Sequence, residues 1–97
     1  MPAFADLSNA ETIAAGSGRI IGAAKACDVD GSRLRALGEK VFAVLNVRAK
    51  SERDQGSATG IFASTYNTGI DQVASGKIKC AAARSAFKDL ELKFSKY

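Results

Sequence analysis

Residues 8–27 read SNAETIAAGSGRIIGAAKAC, and the fold turns on how this stretch is read. Ser8-Asn9-Ala10-Glu11 has the form of a capping box: the Ser8 hydroxyl accepts from the backbone N–H three residues on, and the Glu11 carboxylate reaches back to the Ser8 N–H. Behind it Ala10, Ile13, Ser17, Ile20, Ala24 and Cys27 recur at steps of three and four, and Ala14 and Ile21 widen the stripe. That is the spacing of a helix with one face in a core. Gly16-Ser17-Gly18 interrupts the composition but not the phase, so one helix is expected over residues 9–27. Each mid-helix Gly costs about 1 kcal/mol against Ala. Gly18 and Gly22, one turn apart, would let another backbone approach closely.

The same period returns three times downstream. Asp28–Ser32 is a turn, Asp30 is the expected N-cap with Ser32 as its rival, and Leu34, Leu37, Val41, Phe42 and Leu45 form an apolar face that ends near Arg48 or Ala49. Ser51 caps a third helix, with Glu52 and Asp54 in its first turn, where the helix dipole favours acids. Its stripe is Ala58, Phe62, Tyr66, Ile70 and Val73, with Ile61 and Thr65 beside it; Gly56, Gly60 and Gly69 weaken it, and Gly76 is the expected left-handed terminator. Cys80, Ala83, Phe87, Leu90 and Phe94 mark a fourth helix, on which Asp89 and Lys93 are spaced to pair. No alternating strand pattern competes. Short connections make successive helices antiparallel, so the expectation is an all-α protein: a small up-down-up-down four-helix bundle forming one domain over residues 6–97.

That topology brings the two cysteines together. Cys27 closes the first helix and Cys80 opens the fourth, so both fall at the same end of the bundle, on inward phases. A Cys27–Cys80 disulfide is therefore expected. For a loop of about 50 residues the chain-entropy relation gives it roughly 4 kcal/mol. Disulfides belong to oxidising compartments, which points to a periplasmic or secreted protein. Ala3-Phe4-Ala5 has the small-x-small form that precedes a signal-peptidase cut, so residues 1–5 read as a leader remnant.

Composition narrows the chemistry. The chain has 97 residues, is 46% hydrophobic and carries a net charge of +4, with no His and no Trp. A His-dependent nucleophile site, a haem with a His ligand and a usual zinc shell are excluded by the missing imidazole. No C-x-x-C motif suggests thiol exchange, and no apolar run approaches the roughly 20 residues of a membrane span. The basic residues are scattered and Phe42, Phe62, Phe87 and Phe94 lie on core phases, so neither nucleic acid nor a membrane is the expected partner. One cluster suits a hard cation. Asp28-x-Asp30-x-Ser32, with Glu39 at the twelfth position from Asp28, superficially resembles a calcium loop, although Arg33 stands where the turn needs Gly. Calcium or a lanthanide bound there by Asp28, Asp30 and Glu39 would be held weakly, and a shared ion could hold a homodimer.

In size, helical content and a single widely spaced cysteine pair, the chain is similar to periplasmic acid-stress chaperones and to small secreted immunity proteins of bacteria. The likeness is one of architecture. The expected function is that of a non-enzymatic accessory or binding protein that presents a helix surface to a protein partner. The Ser/Thr/Gly-rich side of the third helix, with Ser57, Ser64 and Asn67, is the candidate surface. The alternatives are hard-cation binding and an acid-stress chaperone.

Overall fold

Four helices form where the apolar period places them: α1 (Asn9–Ala26), α2 (Gly31–Arg48), α3 (Glu52–Ala74) and α4 (Cys80–Lys93). The structure, a computed structural model, describes residues 7–97, among which no strand occurs. The Ala3-Phe4-Ala5 leader motif lies outside the described residues.

The helix ends are fixed by local chemistry. Ser8 Oγ accepts from Glu11 N at 3.0 Å and Glu11 Oε1 accepts from Ser8 N at 2.9 Å, which completes the capping box of α1. Asp28 ends that helix. Its φ of 62° is left-handed, its N–H donates to Lys25 O, and the Val29 N–H donates to Ala24 O, which is the Schellman arrangement. An Asp tolerates this conformation better than most side chains because it is short and polar. Asp30 holds the N-cap position of α2, but its carboxylate accepts from the Ser32 hydroxyl at 2.7 Å instead of capping the helix. Ser51 caps α3 by accepting from Asp54 N, and Gly76, at φ 81°, follows its end as expected.

The helices alternate in direction. Cys27 at the end of α1 is bonded to Cys80 at the start of α4, with Cα atoms 5.4 Å apart, so these two helices are antiparallel. Arg84 Nη2 donates to Cys27 O at 3.0 Å and caps the same junction. Phe42 of α2 meets Phe62 of α3 with ring centroids 4.8 Å apart, while Gln55 near the start of α3 bonds Asn46 near the end of α2; these are antiparallel as well. α1 and α3 run parallel: Ser8 meets Asp54 at their starts, and Gly22 meets Tyr66 further along.

One relationship departs from a square bundle. There the first and third helices would sit across the diagonal, yet α1 packs more closely against α3 than any other pair does. Glycine is the reason. A Cβ at Gly18 would lie 2.6 Å from Phe62 O, one at Gly22 would lie 2.8 Å from Tyr66 C, and one at Gly69 would lie 2.8 Å from Ala23 N. All three obstacles are main chain, so the two backbones touch only because these residues lack side chains. Helix α1 becomes the hub, with α3 on one side and α2 and α4 on the others. The described chain measures 36 × 34 × 16 Å along its principal axes, a flattened bundle.

Burial follows from this hub. Ala10, Ala14, Ile21 and Ala24 of α1 join Leu37, Val41, Val44 and Leu45 of α2, Phe87 and Leu90 of α4, and Phe94 at its C-cap in one core. Phe87, Leu45, Val41 and Cys27 are the largest fully enclosed side chains. The expected Asp89–Lys93 pair does not form; the ion pair among the described residues is Arg33–Glu91, at 2.5 Å, joining α2 to α4. Asp89 and Lys93 are both exposed, where hydration competes with a contact one turn apart. Arg33 also lies over the Phe87 ring, 5.3 Å from its centroid, and covers the core at that point.

Candidate functional site

Ile13 and Ile20 belong to the apolar stripe of α1, yet the structure leaves both only half-buried. They are half-buried because α3 draws α1 towards its glycine face, so α2 and α4 do not close over the opposite flank. The result is a groove of about 380 Å3 whose apolar wall is formed by Ile13, Ile20, Val44, Leu90 and Phe94. That volume falls inside the roughly 300–1,000 Å3 range of small-ligand clefts. Ser17, the buried polar residue of the described core at 3% exposure, lines it too.

Among the described residues, the charged side chains that line the groove have one sign: Arg48, Lys93 and Lys96 line it, with Tyr97 beside them, and neither Asp nor Glu does. Tyr97 is 56% exposed and its ring lies 5.7 Å from that of Phe94, so the aromatic edge of the groove faces water. Arg48 and Lys93 occupy the last turns of α2 and α4, where the helix dipole favours a cation. The dipole explains those two positions. It does not explain the missing acids or the position of Lys96 beyond the helix end.

Gly16 forms part of this lining, and a Cβ built on it would meet nothing within 4 Å. It contrasts with Gly18, Gly22 and Gly69, whose bare backbones permit the contact with α3. Packing gives no reason for a helix-interior glycine at 16, which weakens the helix by about 1 kcal/mol relative to Ala. Gly38, Gly56 and Gly60 meet open space in the same way, so what Gly16 contributes is only its place: a bare stretch of backbone on the groove wall.

A second groove of about 540 Å3 separates α2 from α3, with Leu34, Phe42, Phe62 and Tyr66 in its wall. It is wider and shallower, and its rim mixes Lys25 and Arg35 with Glu39, so it selects no charge.

The polar residues singled out in the sequence are dispersed. Asp28, Asp30 and Glu39 are exposed, and among the described residues no group of three or more His, Cys, Asp or Glu side chains gathers to hold a metal ion. Asp30 is occupied by Ser32, whose hydroxyl holds its carboxyl below the ordinary range. Ser64 and Asn67 are exposed on α3. Ser57 is committed to the helix pair: its hydroxyl donates to Glu11 Oε2. That bond and the Ser8 N–H hold the Glu11 carboxyl below its ordinary value. The Ser8 hydroxyl, which caps α1, also donates to Asp54 Oδ1 at 2.6 Å; together with the Lys50 N–H it lowers the Asp54 carboxyl. The two N-termini are thus interlocked, which is a structural duty.

Sequence reasoning placed Ile13 and Ile20 in the core and did not find the groove. The available signal was three cations near two helix ends; Gly16 was not one by itself, since Gly38, Gly56 and Gly60 also stand inside helices without a packing need. Among the described residues no helix is long and apolar enough to cross a membrane. A bonded cysteine pair is more usual outside the cytosol than within it. No protein-family model, no curated protein and no solved structure matches this chain.

Proposed function

We propose that the protein is a non-enzymatic binding protein of the periplasm or the extracellular space, and that it takes an amphipathic anionic ligand in the groove between α1, α2 and α4. The observation that carries this reading is the lining itself: an apolar wall with Arg48, Lys93 and Lys96 as its charged groups. Apolar area supplies affinity and the cations orient the ligand, the usual division of labour in a binding cleft. The absence of His and the dispersal of Asp28, Asp30 and Glu39 speak for binding over catalysis. The disulfide favours a compartment where thiols are oxidised.

The groove supports this function better than the outer side of α3, where exposure is all that Ser64 and Asn67 offer. The test is a fluorescence titration of the oxidised protein with 8-anilinonaphthalene-1-sulfonate, an apolar anion. Saturable enhancement that the Gly16→Leu variant loses is the expected result. Equal enhancement in both proteins, or none in either, refutes the reading.

A further inference from the structure

Resting on that reading and carrying it to a ligand class, we propose that the groove holds a single-chain fatty carboxylate, its head at Arg48, Lys93 and Lys96 and its chain along Ile13, Gly16 and Ile20. The groove has a direction. Its α1 wall runs from Thr12 to Ile20, a rise of about 12 Å. Because α2 and α4 run antiparallel to α1, their C-terminal cations stand at the Thr12 end, and among the described residues no charged side chain lines the Ile20 end, Arg19 belonging to the adjoining cleft. A ligand charged at one end and apolar along its length matches this polarity. A ligand charged along its length does not.

The head group is a monoanion for an electrostatic reason. The helix ends that α2 and α4 bring to the groove are C-terminal, and their carbonyls oppose negative charge. Dianionic phosphate is characteristically held by backbone N–H groups at helix N-termini, which α2 and α4 do not supply here. The start of α1 lies at this end too, but the Glu11 and Asp54 carboxylates already stand against it through Ser8, so three flexible cations against two unfavourable helix ends suit one negative charge. The single chain follows from volume: about 380 Å3 is near the lower limit of ligand clefts. Gly16 supplies depth at mid-groove, where a side chain would project into the path of the alkyl chain.

Calorimetric titration of the oxidised protein with decanoate and decyltrimethylammonium below their micelle concentrations, and with decanol below its solubility limit, tests the proposal. Decanoate is expected to bind one-to-one, decanol about tenfold or more weakly, and the cation not at all. Octanoate should bind more weakly than decanoate, by up to about fourfold per methylene removed. Gly16→Leu should keep its helical circular dichroism and lose decanoate. A Lys93→Gln, Lys96→Gln double variant alters only exposed heads, keeps Arg48, and should bring decanoate most of the way towards decanol. Equal affinity for decanoate and decanol, or no dependence on chain length, overturns the carboxylate assignment while leaving the groove a binding site if the naphthalene sulfonate still saturates it. A dimer that Gly16→Leu dissolves, without decanoate binding, would mean that a second copy fills the groove, and overturns it too.

Discussion

Gly22 of α1 rests on the main chain of Tyr66 of α3: a Cβ at Gly22 would lie 2.9 Å from Tyr66 Cα. The obstacle is backbone, so it cannot rotate away. Gly22→Ala should therefore separate the two helices and destabilise the protein by about 1–3 kcal/mol, the usual cost of overpacking. Gly16→Ala meets open space and should stabilise by about 0.5–1 kcal/mol through helix propensity alone. Urea unfolding of both variants checks this pair of opposite signs. Equal shifts would mean that the α1–α3 contact is not glycine-dependent.

The Cys27–Cys80 bond closes most of the chain, from the end of α1 to the start of α4. Replacing both residues with Ala should lower unfolding free energy by about 4 kcal/mol, with the loss residing in the unfolded chain's extra freedom. Since small domains have only about 5–15 kcal/mol in all, the reduced protein should melt far below the oxidised one. Thermal melts with and without a reductant, alongside the double variant, measure it.

Phe87 is fully enclosed, between the core of α2 and α4 and the covering guanidinium of Arg33. Phe87→Ala leaves a cavity that a four-helix framework tied at one end cannot collapse, and should cost about 3–5 kcal/mol. Phe94→Ala, at the other end of α4 and 5% exposed, borders the groove and should be tolerated better, because water can enter. Chemical denaturation of the two variants gives the comparison.

Acid should loosen the paired N-termini. Glu11 and Asp54 have carboxyls below their ordinary values of 4.5 and 3.8, held by Ser57 and by Ser8 respectively. A depressed carboxyl stabilises the fold at pH values above its unfolded value, and that contribution disappears as pH falls through the folded value. Stability should thus decline on acidification below about pH 4.5. Ser8→Ala removes the α1 cap, at a cost of about 1 kcal/mol at neutral pH, and should also flatten the acid-dependent part. Carboxyl resonances followed by NMR through acid, in the parent and in Ser8→Ala, check both the direction and the cause.

The sequence by itself determined the secondary structure, because the apolar period marks each helix and several of the helix ends are set by neighbours along the chain. Ser8, Ser51 and Gly76 act at their own helix ends, and the helices they bound are those the apolar period marks. It also determined the disulfide, since four alternating helices leave Cys27 and Cys80 at one end whatever their exact packing. Asp28 was legible as a turn residue but not as a left-handed one, because Asp adopts either conformation and only the bonds from its own and the Val29 N–H decide.

Which helices would touch was decided only in three dimensions. The period of α1 offers Ile13 and Ile20 to a core as readily as it offers Ala14 and Ile21. Gly18, Gly22 and Gly69 resolved that choice, by allowing a backbone approach that pulls α1 towards α3 and leaves the isoleucines at an open flank. Periodicity reports that a face is apolar. Whether another helix covers that face depends on how closely the partners can approach, and that is a property of two segments together.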